Sequence, residues 1–337
     1  MKRVLITDTH FGVKNNSITW LNSQQDFIYN QFIPHLKSLS KTDSVKVIHL
    51  GDVFDSRSTI STLVAARVVQ MIKDISDCTD RFIIIGGNHD YYSPSSDSID
   101  SLNLLLKNIR VELYTNEMGI DKKDGDLYVP WYEWINKQTE IQRLIDAGTV
   151  SRIYTHADIV NESIPITGYS ELWSGHVHTP SMNYTNHIYN MGSCFPLTFA
   201  DSNSYRGFYV VDDDADEIKF VPNTQSISFW RLYNDGIFDD KIVSQFKPND
   251  YIELYVNQYN LIKDSFNNKI KWFTNKFKNL WVIPQVEQTI SESSDSIDIF
   301  EGYNIEAICK NMIPENLRAK FEQVIQSAQK SNDSSDN

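Results

Sequence analysis

One kind of ending recurs along the chain: an apolar run that stops at a carboxylate, an imidazole or a carboxamide. "RVLIT" runs into Asp8-Thr-His10, "VKVIHL" into Gly51-Asp52, "RFIII" into Gly-Gly-Asn88-His89-Asp90, "SRIYT" into His156, and "SELWS" into Gly-His176-Val-His178. Those groups are the oxygen and nitrogen donors that divalent ions such as Mn²⁺, Fe²⁺ and Zn²⁺ accept. In the Asp8/His10 and His176/His178 pairs, the i, i+2 spacing puts both side chains on one face of an extended strand end. Any one of these histidines alone reads more simply as a hydrogen-bonded core residue. Core packing does not call for five such motifs in series, and the set reads as a dinuclear metal site. His89, beside a ligand of the Asn88 type, is then free for proton transfer.

The runs that carry these motifs are short and β-branched, as expected of strands buried in a sheet with functional groups at their carboxyl ends. Helix-like segments at about 24–39 and 61–75 alternate with the early strands. That rhythm predicts an α/β or α+β layered domain, with a sheet flanked by helices. After His178 the texture turns to strand and turn, in "HIYNMGS", "RGFYVVDDDADEIKFVPN" and "SISFWRLY", which would extend the sheet or add a second one. A new unit is expected near Ile237: strand "DYIELYVNQ", then a helix, then strand "LWVIPQV". In that helix Phe266, Ile270, Phe273, Phe277 and Leu280 mark an apolar face, flanked by Lys269, Lys271, Lys276 and Lys278. The lysines read either as a solvated face or as phosphate contacts.

Composition bounds the possibilities. The 337 residues, 41% hydrophobic and 22% charged, suit a soluble globular protein with one large domain and a smaller one. A formal charge of −13 argues against coating nucleic acid by bulk electrostatics, though bound cations reverse the field locally. Three separated cysteines suggest neither a disulfide framework nor a zinc ribbon, and fit a reducing cytoplasm. Neither a signal peptide nor a membrane span is expected. Lys14, Arg57 and Arg206 lie near the motifs and are candidate phosphate contacts, with surface solubility the plain alternative.

The ordered blocks Asp-x-His, "GDVFD", "GGNHD", a lone His and "GHVH" resemble the calcineurin-like metallophosphoesterase superfamily, most nearly the SbcD-type recombination and repair nucleases, including those of large tailed phages. The motif-bearing resemblance covers residues 1 to about 230. It implies a layered β-sandwich domain at 1–236 and a small α/β capping, DNA-binding domain at 237–288. An acidic linker at 289–302, a helical partner-binding segment at 303–330 and a disordered tail at 331–337 would follow. It implies that Asp8, His10, Asp52 and His178 hold one divalent ion and Asp52, Asn88, His156 and His176 a second, with Mn²⁺ the expected metal and Mg²⁺ an alternative. A hydroxide activated by both ions would attack phosphorus. His89 would act on the leaving 3′-oxygen, and Asp90 would either orient it or serve as a turn carboxylate. Some relatives carry His at the position of Asp55, so its phosphate-contacting role does not transfer.

The implied activity is a metal-dependent DNA nuclease, 3′ to 5′ exonucleolytic on duplex ends and endonucleolytic on single strands. It would act in recombination, repair and replication as a homodimer with an SbcC-type SMC-like ATPase, in the cytoplasm of a bacterial host if phage-encoded. The face Leu317, Phe321, Val324 and Ala328 would dock on that ATPase or pack back on the domain. Two other readings stand beside it: a different dinuclear phosphoesterase, such as a phosphatase or small phosphodiesterase, and an inactive scaffold of the same fold.

Overall fold

The computed structural model describes residues 1–285 apart from 94, 258, 259, 261 and 262. The expected linker, partner-binding segment and tail lie outside the described residues, as do the last residues of the capping unit. Strand alternation explains the main domain. Along Lys2–Ile6, Val45–His49 and Arg81–Ile85, the residues Val4, Ile6, Val45, Val47, Phe82 and Ile84 enter one core, while Leu5, Ile48, Ile83 and Ile85 enter another. Both faces of the sheet are thus buried, which accounts for near-continuous apolar runs where a half-exposed strand would show polar alternation.

That first sheet has six strands, in the order Glu217–Pro222, Gly207–Asp212, Lys2–Ile6, Val45–His49, Arg81–Ile85 and Glu112–Tyr114. The last four run parallel, with Ile6 beside His49 and His49 beside Ile84. Their carboxyl ends are therefore level, and the Asp8, Asp52 and Asn88 turns emerge side by side. A second six-stranded sheet has the order Ser181–Asn183, Ile188–Asn190, Glu171–Ser174, Arg152–Thr155, Asp126–Val129 and Gly119–Asp121. Arg152–Thr155 and Glu171–Ser174 are parallel neighbours, so His156 and the His176/His178 turn leave from the same end.

The sheets meet face to face. Leu5, Ile48, Ile83 and Ile85 of the first pack against Tyr128, Tyr154, Trp173 and Tyr189 of the second, aliphatic against aromatic. Helices cover the outer faces: Ile18–Phe27, Ile33–Leu39 and Thr62–Ser76 on the first sheet, Trp131–Asn136 and Gln138–Asp146 on the second. The expected layered sandwich flanked by helices is present.

At the end away from the motifs, cations are buried with carboxylates. Lys46, 2% exposed, lies 3.0 Å from Asp126 Oδ2, and Arg152 Nε donates to Asp126 Oδ1 at 2.6 Å. Arg3, 1% exposed, pairs with Glu171 at 2.8 Å and Asp213 at 2.6 Å.

The smaller unit differs from expectation at its start. The strand Phe229–Tyr233, from "SISFWRLY", leaves the main domain's sheets and runs parallel to Tyr251–Asn257, which in turn pairs with Asn279–Gln285. The reason is aromatic packing: Phe229 and Tyr251 cluster with Trp20 of helix Ile18–Phe27, each ring pair 5.7 Å apart. Helix Asp264–Lys276 covers the other face, with Phe266 and Phe273 against Ile252, Leu254 and Val256. Its exposed edge carries Trp272, with Lys276 Nζ 4.8 Å and Lys269 Nζ 5.3 Å from the ring centre.

Asp126 is fully buried beneath two cations, and removing one partner of such a set leaves uncompensated charge. Asp126→Ala is expected to destabilise the protein by about 3–5 kcal/mol in urea unfolding.

Candidate metal centre

Two adjoining turns form the floor of the site. The Asp8 N–H donates to the Gly51 carbonyl at 3.1 Å, His10 N–H to Asp52 O at 3.1 Å, and Phe11 N–H to Val53 O at 2.8 Å. Within these turns and the neighbouring one, Asp8, His10, Asp52 and His176 have φ of 50°, 43°, 54° and 80°. Side chains disfavour this left-handed region at a cost of order 1 kcal/mol or more each, which persists only where surrounding contacts hold it. Two glycines allow the close stacking. A Cβ on Gly87 would overlap the Asp52 backbone nitrogen and carboxylate, and one on Gly175 would overlap Thr7 Oγ1 and lie 2.7 Å from Asp8 Oδ2.

The side chains converge in two nests. In the first, His10 Nε2 and His178 Nε2 face each other at 3.1 Å, and each is 3.7 Å from Asp8 Oδ1. In the second, Asn88 Oδ1 lies 3.0 Å from His156 Nε2 and 2.9 Å from His176 Nδ1. Asp52 joins them. Its Oδ1 accepts the His89 N–H at 2.8 Å, while Oδ2 sits 3.6 Å from His10 Nε2 and 3.4 Å from His156 Nε2. All seven expected ligand residues are thus brought together, in the grouping Asp8/His10/His178 and Asp52/His156/His176 with Asn88 alongside.

The donor set fits a cation. His156 Nδ1 donates to the Leu50 carbonyl at 2.7 Å, which leaves Nε2 as a lone pair aimed at the oxygens of Asn88 and Asp52. Lone pairs buried against one another need a positive charge between them. Burial disfavours a charged imidazole, yet Asp55, Asp8 and Asp52 raise His10 to about 10, and Asp52 and Asp8 raise His156 to about 9. Burial likewise pushes Asp8 up, but His10, His156 and His178 hold it at about 2; Asp52 is held below the usual carboxylate range in the same way. Imidazole nitrogen, carboxylate and one carboxamide oxygen suit Mn²⁺, Fe²⁺ or Zn²⁺.

His89 stands at the rim, its ring 5.0 Å from that of His10 and edge-on to it. Its Nδ1–H donates to the Asp55 carbonyl at 2.5 Å, so Nε2 is the ring atom left for a substrate. Asp90 does not orient it. The Asp90 carboxylate is buried and accepts backbone N–H groups from Gly87 at 2.9 Å, Val53 at 3.1 Å and Phe54 at 3.2 Å, tying the two turns together. Of the two roles open for Asp90, the turn carboxylate is the one the contacts support.

Asp55, left without a role by the resemblance, belongs to the site by its contacts. Besides presenting its carbonyl to His89, it places Oδ1 3.4 Å from His10 Nδ1, on the side away from the nest. Its signal was the second Asp of "GDVFD". The basic residues divide. Lys14 is exposed on a left-handed turn shared with Asn15 and Asn16, and Arg57 is half-buried with Nη1 enclosed and unpartnered. Arg206 is not available to a phosphate: it is 4% exposed and pairs with Asp201 at 2.5 Å, because a guanidinium buried in this loop requires a carboxylate beside it.

His49, a histidine outside the motifs, supports the floor. Thr9 Oγ1 donates to Val53 O at 3.1 Å and accepts from His49 Nε2 at 3.0 Å, while His49 Nδ1 accepts the Gly51 N–H at 3.3 Å. The ring is neutral in this arrangement, and burial holds it down at about 3.

Comparison with known proteins bears on the same residues. The calcineurin-like phosphoesterase family profile matches residues 1–223. "Exonuclease subunit 1" of Enterobacteria phage T4 is 24% identical over 345 residues, spanning 97% of each chain. A solved structure, that of the Pseudomonas putida nuclease MPE, is 13% identical, covering 61% of this chain and 83% of that one with a TM-score of 0.31. Among the described residues, no helix is long and apolar enough to cross a membrane.

The His49 environment has a pH consequence. Below about pH 6.5 the unfolded chain takes up a proton that the folded protein refuses until about pH 3, so stability falls with decreasing pH through that window. The loss from this group is about 1.4 kcal/mol per pH unit. His49→Gln is expected to lose about 2 kcal/mol less than the parent between pH 6.5 and 5 in paired urea titrations.

Proposed function

The chain belongs to the calcineurin-like phosphoesterase family, and from that premise we propose that it is a metal-dependent DNA nuclease. The observation that carries the reading is the Asp52 carboxylate, with one oxygen set between two nests of nitrogen and oxygen donors and the His89 imidazole, held at Nδ1, at their rim. In this reading Asp8, His10, Asp52 and His178 hold one divalent ion, and Asp52, Asn88, His156 and His176 hold the other. Mn²⁺ suits the donor mixture, with Mg²⁺ as the alternative. When bound, two such ions supply Lewis acidity, a water of lowered pKa and charge to match the phosphate.

The protein's own groups then have defined tasks. His89, pinned at Nδ1 by the Asp55 carbonyl, presents Nε2 to the leaving 3′-oxygen, and in the imidazolium form, protonated at both ring nitrogens, gives it a proton or a hydrogen bond. Asp55 and the Leu50 carbonyl keep His10 and His156 oriented from behind. Asp90 acts through the backbone of both turns. Lys14 and Arg57 are the basic residues near the site that remain available to flanking phosphates, and Trp272 with Lys269 and Lys276 offers a stacking and phosphate-binding edge on the smaller unit. The net charge of −13 is offset locally where the ions sit.

Support for DNA as the substrate comes from the relative named an exonuclease subunit, whose likeness extends over nearly the whole of both chains. We extend that to 3′ to 5′ cleavage of duplex ends and endonucleolytic cleavage of single strands, in a homodimer working with an SbcC-type SMC-like ATPase that docks on residues 303–330. Recombination, repair and replication in a bacterial host cytoplasm are the setting of that proposal.

The test uses the full chain with Mn²⁺ and labelled linear and single-stranded DNA, beside a phosphopeptide and a nitrophenyl phosphodiester, with and without the ATPase. DNA cleavage is expected to fall by about 10²–10⁴-fold in His89→Ala with both ions retained. Asp8→Ala should lose cleavage together with an ion. Cleavage of the phosphopeptide alone would instead point to a phosphatase, and no cleavage of anything with the ATPase present would point to a scaffold.

A further inference from the structure

Behind the turn that carries Asp8 and His10 lies a residue that the chemistry above leaves unused. Gln24, on helix Ile18–Phe27, is 1% exposed. Its Nε2 donates to the Thr9 carbonyl at 2.7 Å and approaches the His10 carbonyl at 3.4 Å. Two carbonyl oxygens can be faced only by the amide nitrogen, so the side chain's orientation is settled. The His10 carbonyl also takes the Val13 N–H at 3.1 Å. Gln24 is the donor that meets the Thr9 carbonyl, between the two left-handed ligand residues.

The other end of the same amide has no such purpose. Gln24 Oε1 is buried without a donor. An unsatisfied buried acceptor costs about 1–3 kcal/mol. Methionine would fill the space beside Trp20, Leu21 and Phe27 and remove that cost, but it would leave the Thr9 carbonyl buried without this donor, so the two effects offset. The amide is thus satisfied on one side only, and its one strong contact is with the turn that carries Asp8 and His10.

We infer that Gln24 is a positioning residue for the first metal nest: by holding the Thr9 carbonyl it keeps the Asp8 and His10 backbones in the left-handed region and so aims both side chains at the ion. The inference rests on the dinuclear reading above. Apart from the shared Asp52, the second nest is built on other turns: Asn88 follows strand Arg81–Ile85, and His156 and His176 follow strands of the second sheet. Loss of the Gln24 donor therefore loosens one ion and spares the other. The helix is also fixed at its far side, where Ser23 Oγ accepts the Ile227 N–H at 2.7 Å, so its place does not depend on Gln24.

The experiment titrates the metal-free full chain with Mn²⁺, reading free ion by electron paramagnetic resonance and heat by calorimetry, while urea unfolding without metal measures stability. In Gln24→Met, one of two affinities should weaken by about 10–100-fold, the other should stay within about twofold, and the unfolding midpoint should stay close to the parent's, since one unpaired buried oxygen replaces another. Gln24→Asn, which keeps an amide withdrawn by one methylene, should weaken the same ion to a lesser degree. Unchanged affinities in both variants overturn the assignment, as does equal weakening of both ions alongside a lowered midpoint. A parent chain that takes up fewer than two ions sinks the dinuclear reading and the Gln24 assignment together.

Discussion

The geometry of the site depends on a carboxylate committed at both ends. Asp52 gives one oxygen to the His89 N–H and turns the other toward His10 and His156. To reach that place its backbone takes a left-handed turn after Gly51, and Gly87 must lack a side chain so the next turn can pass against it. Asp90 then binds Gly87, Val53 and Phe54 together, so the two turns cannot separate without breaking buried hydrogen bonds. The local strain of the site is thus confined by a cage of ordinary contacts.

Charge is distributed along the sandwich with equal economy. At one end, the buried Arg3, Lys46 and Asp126 and the partly buried Arg152, Glu171 and Asp213 form a mixed-charge cluster whose cations largely neutralise its carboxylates. At the motif end, among the described residues, no lysine or arginine pairs with the buried carboxylates of Asp8 and Asp52; histidines and carboxylates face one another. Divalent ions held there would supply the positive charge that the motif end lacks.

Much of this was legible in the residue order because it is local. Strand runs such as "RVLI" and "RFIII" announce their elements, and a motif at each carboxyl end announces the site. What stayed hidden depends on partners distant in sequence. Gln24 and His49 look like helix and strand filler until the fold sets them behind the Asp8 turn. Arg206 resembles a surface cation until Asp201 is found beside it, inside the protein. Asp55 shows two uses, through carbonyl and carboxylate, that no spacing reveals. The strand Phe229–Tyr233 has an apolar pattern that suits either sheet, and the choice is made by Trp20, far upstream.

The candidate ligands are divided between the two sheets: Asp8, His10, Asp52 and Asn88 follow strands of the first, His156, His176 and His178 strands of the second. Neither sheet alone completes a nest, and residues 8 and 178 meet only after most of the chain between them has been arranged. Contacts of such long sequence separation form late in folding, since the intervening loop entropy must be lost first. The full donor set therefore exists only in the closed sandwich, and a misregistered chain would lack it.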